Sequence, residues 1–91
     1  METELIPRYD SRASFYKKAR IRQDGEKTIL ISYRTEVAYI IYGVAVVLGV
    51  WGNTTTRHIK EFLQQNGFNV GSGKQMFKEH NPTKIKIADS L

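Results

Sequence analysis

Thr54, His58 and Glu61 fall four and then three residues apart within GNTTTRHIKEFLQQNGF, residues 52–68. On a helix that spacing sets a hydroxyl, a base and an acid along one face. A hydroxyl becomes a nucleophile when a base within hydrogen-bond reach takes its proton and an acid orients the base. The same stretch has two other readings. Free amides at a helix start, with Arg57 and the threonine hydroxyls beside them, favour a phosphate or carboxylate. Alternatively, Asn53 or Thr54 caps the helix by accepting an amide hydrogen of its first turn. An exposed helix turn lacks the desolvated pocket that tunes a nucleophile, and there is no glycine-rich cradle followed by Lys-Ser/Thr for a nucleotide. The expectation is a capped structural helix without catalytic residues. Its apolar face is Ile59, Phe62 and Leu63, with Arg57 and His58 pointing away and free to meet a partner.

A second candidate lies upstream. From Phe15 the residues alternate, so that Phe15, Lys17, Ala19 and Ile21 face one way while Tyr16, Lys18, Arg20 and Arg22 face the other. A basic face with an aromatic in it can follow a phosphate backbone while the ring stacks on a base. The solvated side of an outer strand is also commonly Lys- and Arg-rich, which blocks edge-to-edge aggregation. Tyr33, Tyr39, Tyr42 and Trp51 add amphipathic rings that suit an interface, with Arg34 beside the first of them.

The elements that must position these residues follow from pattern. QDGEK at residues 23–27 places Asp-Gly between two strand-like runs, the signal of a tight hairpin. TILISY, VAYIIY and VAVVLGVW read as three more strands, separated by RTE and by Gly43. The last two are apolar on both faces and need a cover, which the helix supplies. Asn66-Gly67 stops that helix, with Phe68 folding back over its end. KQMFKEH then adds a short helix that docks Met76 and Phe77. The fold class is α+β: a small antiparallel meander of about four strands covered on one face by a C-terminal helix, with a further short helix. Residues 1–13 read as an extended arm, 14–80 as one α+β domain and 81–91 as a tail that is either a short edge strand or disordered.

Composition narrows the function classes. A chain of 91 residues supports one domain with a compact core and little room for a deep cavity. Without cysteine there are no disulfides, thiolate zinc sites or cysteine nucleophiles, and with two histidines no metal or cofactor is expected. The start METELIPRYD is acidic where a secretory signal is basic, and the apolar run VAYIIYGVAVVLGVW is shorter than a membrane helix needs. The net charge of +5 permits attraction to nucleic acid or to an acidic protein surface.

RYDSRASFYKKA, SYRTEVAYI and TTTRHIKEFLQQNGF, in this order and at this spacing, resemble a small domain of unknown function encoded by phages and prophages. The likeness runs over about residues 8–68. Lys17 and Arg34 depart from the pattern, which has a glycine and an acid there. No activity comes with the resemblance; it implies a phage accessory protein acting in the cytoplasm of a bacterial host. Such a protein binds a host or phage macromolecule, for instance a defence ribonucleoprotein such as a CRISPR effector. The functional expectation is therefore a non-enzymatic binder and modulator of another macromolecule, anti-CRISPR-like, acting as a monomer or homodimer. The alternative is a small basic nucleic-acid-binding protein. The residues expected to make contact are Tyr16, Lys18, Arg20, Arg22, Arg34, Arg57 and His58.

Overall fold

A computed structural model describes residues 2–10, 15 and 17–81. Five strands form one antiparallel meander in chain order: β1 (Glu2–Glu4), β2 (Ala19–Asp24), β3 (Lys27–Ser32), β4 (Thr35–Ile41) and β5 (Val44–Val47). Two-residue turns join the last four, and in each the first turn residue has positive φ: Gly25 at 59°, Tyr33 at 59° and Tyr42 at 50°. Such turns match the right-handed twist of the flanking strands. Helices α1 (Asn53–Gln65) and α2 (Gly73–His80) follow.

Alternation along the strands puts Ala19, Leu30, Ala38, Ala45 and Val47 against Phe15, Ile59, Phe62, Leu63 and Met76. Burying a side chain such as Phe62 contributes about 1.5–3 kcal/mol. A register shift at Leu30/Ile31 leaves Val37 as an extra residue in β4, which lets both Val37 and Ala38 join the core. On the other face Arg22, Ile29, Tyr39 and Val46 lie opposite one another across four strands. There the ion pair of Arg22 with Glu36 and the ammonium of Lys27, 4.4 Å from the Tyr39 ring centre, bring long side chains over the aliphatic ones.

The sequence expectation of about four strands falls one short, because the arm contributes β1. Three residues, two of them acids, carry no periodic apolar signal; they pair because Leu5 is buried and its N–H reaches Ala19 O at 2.8 Å. Strand β2 starts at Ala19 rather than Phe15, since Lys17 and Lys18 form a turn. Phe15 points into the core as expected. Helix α1 is entered differently from the expectation. Gly52 holds the cap position, no side chain caps it, and the Thr56 N–H donates to Gly52 O. Its end is as read. Gly67 has φ 84°, its N–H bonds Gln64 O, the Phe68 N–H bonds Leu63 O, and Phe68 packs on the core. Asn66 is exposed, and α2 docks Met76 and Phe77 as expected, capped by Ser72. Residues 82–91 of the tail lie outside the described residues. Among the described residues no helix is long and apolar enough to cross a membrane.

Lys17 has φ 59°, the conformation that a glycine adopts without strain. Lys17→Gly is expected to leave stability unchanged or to raise it by up to about 1 kcal/mol, read as the denaturant midpoint at constant slope. A loss of more than about 1 kcal/mol would show that the lysine side chain outweighs its backbone strain.

Candidate functional site

The hydroxyls and the base do meet, but inside the protein. Ser32, at the end of β3, lies 2.7 Å from His58 Nδ1 and 2.9 Å from Thr55 Oγ1. His58 is fully buried, Ser32 is 3% exposed and Thr55 9%. The Phe15 ring packs edge-on to the imidazole at 4.7 Å, and the Tyr33 ring lies 6.0 Å from it. A hydroxyl and an imidazole at 2.7 Å have the geometry of a nucleophile and its base, yet no side of the pair is open to a substrate. What this cluster can do is fix helix α1 to the turn between β3 and β4.

Glu61 performs a similar task for the arm. Glu61 is 1% exposed, and its carboxylate accepts the N–H of Arg8 at 2.8 Å, the N–H of Tyr9 at 3.0 Å and a hydrogen of Gln65 Nε2 at 2.6 Å. Gln65 Nε2 also donates to Ile6 O at 2.8 Å. One buried acid thus satisfies two backbone donors of a segment that has no regular partner of its own.

Outside this interior the two turns carry the exposed groups. The Tyr33 N–H donates to Lys18 O at 2.7 Å and Arg20 Nη2 donates to Tyr33 O at 3.1 Å. The Lys17–Lys18 turn and the Tyr33–Arg34 turn are therefore locked side by side, with Lys17, Lys18, Tyr33 and Arg34 exposed. Tyr33 is 48% exposed, and a bulky residue at φ 59° is an outlier. The carboxylates of β1 adjoin this surface. Glu2 Oε1 is 3.1 Å from Arg20 Nη1, and Glu4 Oε2 accepts the Lys17 N–H at 2.7 Å.

Of the expected contact residues, Lys18, Arg20 and Arg34 come together here. Arg22 stands two positions farther along β2 and pairs with Glu36. Arg57 is half-buried on α1. His58 does not point away from the apolar face: the helix turns it towards Ser32, into the core, so it is unavailable to a partner. Tyr16 lies outside the described residues. Of the catalytic trio, Thr54 is not the hydroxyl that enters the cluster. Thr55 is, while Glu61 is engaged by the arm. Among the described residues no group of three or more His, Asp or Glu side chains could hold a metal ion. The residue that sequence reading passed over is Ser32. As a polar side chain at the inward end of the apolar run ILIS, it required a buried partner, and that requirement was its signal.

Residues 3–79 match a family of unknown function, DUF8033, and the chain belongs to that family. No curated protein and no solved structure matches it.

Proposed function

We propose that this protein is a non-enzymatic accessory protein that binds and modulates another macromolecule through the surface formed by Lys18, Arg20, Tyr33 and Arg34. The observation that carries the reading is Tyr33. Its backbone is held at both N–H and C=O in a conformation that costs about 1–3 kcal/mol for such a residue, while nearly half of the side chain stays exposed. A glycine would make the turn without strain; the ring lies near His58 on one side and presents its exposed half to a partner. Aromatic and arginine side chains on a rigid support are the groups that dominate interface energies.

A protein partner is favoured over nucleic acid because Arg20 and Arg22 are each held by a carboxylate, Glu2 and Glu36, which lowers the charge available to follow phosphates. The resemblance to phage-encoded domains supports a component of bacterial defence, such as a CRISPR effector, as the target class. The test compares the native chain with Tyr33→Gly/Arg34→Glu as baits in infected or lysogenic bacteria, with mass spectrometry and nucleic-acid extraction on each eluate. The expected result is a protein partner whose affinity falls at least about tenfold in the variant, a loss near 1.4 kcal/mol. Equal recovery by both baits would remove the surface from consideration. Recovery of nucleic acid alone, with affinity falling steeply as salt rises, would replace this reading with the nucleic-acid one.

A further inference from the structure

Strand β1 is the shortest of the sheet and the most acidic. Its three residues pair Glu2 with Arg22, Thr3 with Ile21 and Glu4 with Arg20 along the β2 edge. Its two acids reach back to the site: Glu2 to the Arg20 guanidinium and Glu4 to the Lys17 amide. Both partners of the Glu2–Arg20 pair are over a third exposed, so the pair is screened by water and contributes little. Glu2, Thr3, Glu4, Lys17 and Arg20 line an open cleft.

The guanidinium is incompletely used. Tyr33 O accepts from Nη2 and Glu2 from Nη1, whereas Nε is closed off from solvent and has no acceptor among the described residues. Arginine binds carboxylates best through two parallel N–H donors. A carboxylate lying side-on to Arg20 would take Nε together with the second hydrogen of Nη2, whereas Glu2 stands at Nη1 and reaches neither. The root of the arm is fixed: Leu5 is 5% exposed, and Arg8 and Tyr9 are held by Glu61. Among the described residues, it is residues 2–4 that have to swing aside to uncover the edge of β2.

We infer that the β2 edge is a docking site for an extended acidic segment of a partner protein. Its carboxylates stand two residues apart, and it adds to the sheet in place of β1. In the free protein β1 is the intramolecular stand-in for that segment. Strand addition gives affinity through main-chain hydrogen bonds, and alternate side chains give specificity. Here the alternate side chains face Arg20 and the Lys17 amide. This inference rests on the reading of the Lys18–Tyr33–Arg34 surface as the partner-binding one and supplies the chemistry of what it binds.

The test uses the full chain and two fluorescein-labelled peptides, TETETET and TQTQTQT. Glu2→Gln/Glu4→Gln loosens the stand-in without touching Arg20 or Lys17. TETETET is expected to bind this variant at least tenfold tighter than the native chain and to slow amide exchange over Ala19–Arg22. Adding Arg20→Gln is expected to abolish the gain, and TQTQTQT is expected not to bind. Equal binding of the two peptides overturns the inference, as does no binding to a variant with native circular dichroism. Binding without slowed exchange at Ala19–Arg22 also overturns it. A native chain that dimerises, with the dimer lost in Glu2→Gln/Glu4→Gln, assigns the edge to a second copy and overturns it too. If the macromolecular partner is lost with Tyr33→Gly/Arg34→Glu while TETETET binds no form of the chain, the acidic strand is refuted and the binding surface stands.

Discussion

His58→Ala is expected to destabilise the fold by about 3–4 kcal/mol, a large share of the 5–15 kcal/mol that holds a small domain together. The substitution empties a fully enclosed site beside Phe15 and leaves the Ser32 hydroxyl without its imidazole partner. Both effects act in the same direction, one through lost contacts and the other through an unsatisfied buried group. Ser32→Ala removes the smaller side chain and is expected to cost about 2 kcal/mol. Because the two residues share one hydrogen bond, the double variant is expected to lose less than the sum, by about 1–2 kcal/mol. Urea titration of the four proteins gives the cycle. A His58→Ala protein as stable as the native one would mean that the imidazole is not held as described. Additive losses would mean that the Ser32 contact carries no energy.

Glu61→Ala is expected to cost about 3 kcal/mol, because it strands the amides of Arg8 and Tyr9 and frees Gln65. Glu61→Gln keeps one acceptor oxygen and much of the shape, so about half of that loss is expected. The distinguishing readout is local. Amide exchange at Arg8 and Tyr9 should rise towards the unprotected rate in Glu61→Ala, while the amides of β3 and β4 slow or quicken only with global stability. Unchanged protection at Arg8 and Tyr9 would exclude Glu61 as the clasp of the arm.

The parts of this fold that were legible in the sequence are those where local chemistry and tertiary demand agree. Asp24-Gly25 and Gly43 marked turns because positive φ suits glycine, and both turns are present. Ile59, Phe62 and Leu63 marked an inward stripe, and all three are buried. Gly67 and Phe68 closed the helix as read. The failures share a cause as well. His58 sits beside the Ile59–Phe62–Leu63 stripe on the helical wheel, and whether it faces water depends on what packs there. Ser32 comes from a strand 26 residues away, a partner that no helical periodicity announces. Strand β1 was missed because its pairing depends on the buried Leu5 and on Arg20, not on its own apolar pattern. Lys18, Arg20 and Arg34 were visible as charges, but the two turns that bring them together are tied by a backbone bond between Tyr33 and Lys18, which side-chain identity does not reveal.

The clasp at Glu61 also sets an order of events. Arg8 and Glu61 are 53 residues apart, whereas the three hairpins from β2 to β5 each close across a two-residue turn. Loop closure costs more entropy as the intervening chain lengthens, and contacts between distant residues are the slow ones to form. The arm precedes the sheet along the chain yet settles after it, once helix α1 has been laid down and its carboxylate is in place. Until then the amides of Arg8 and Tyr9 have no carboxylate to meet, and a nascent chain paused before Glu61 would leave that part of the arm unanchored.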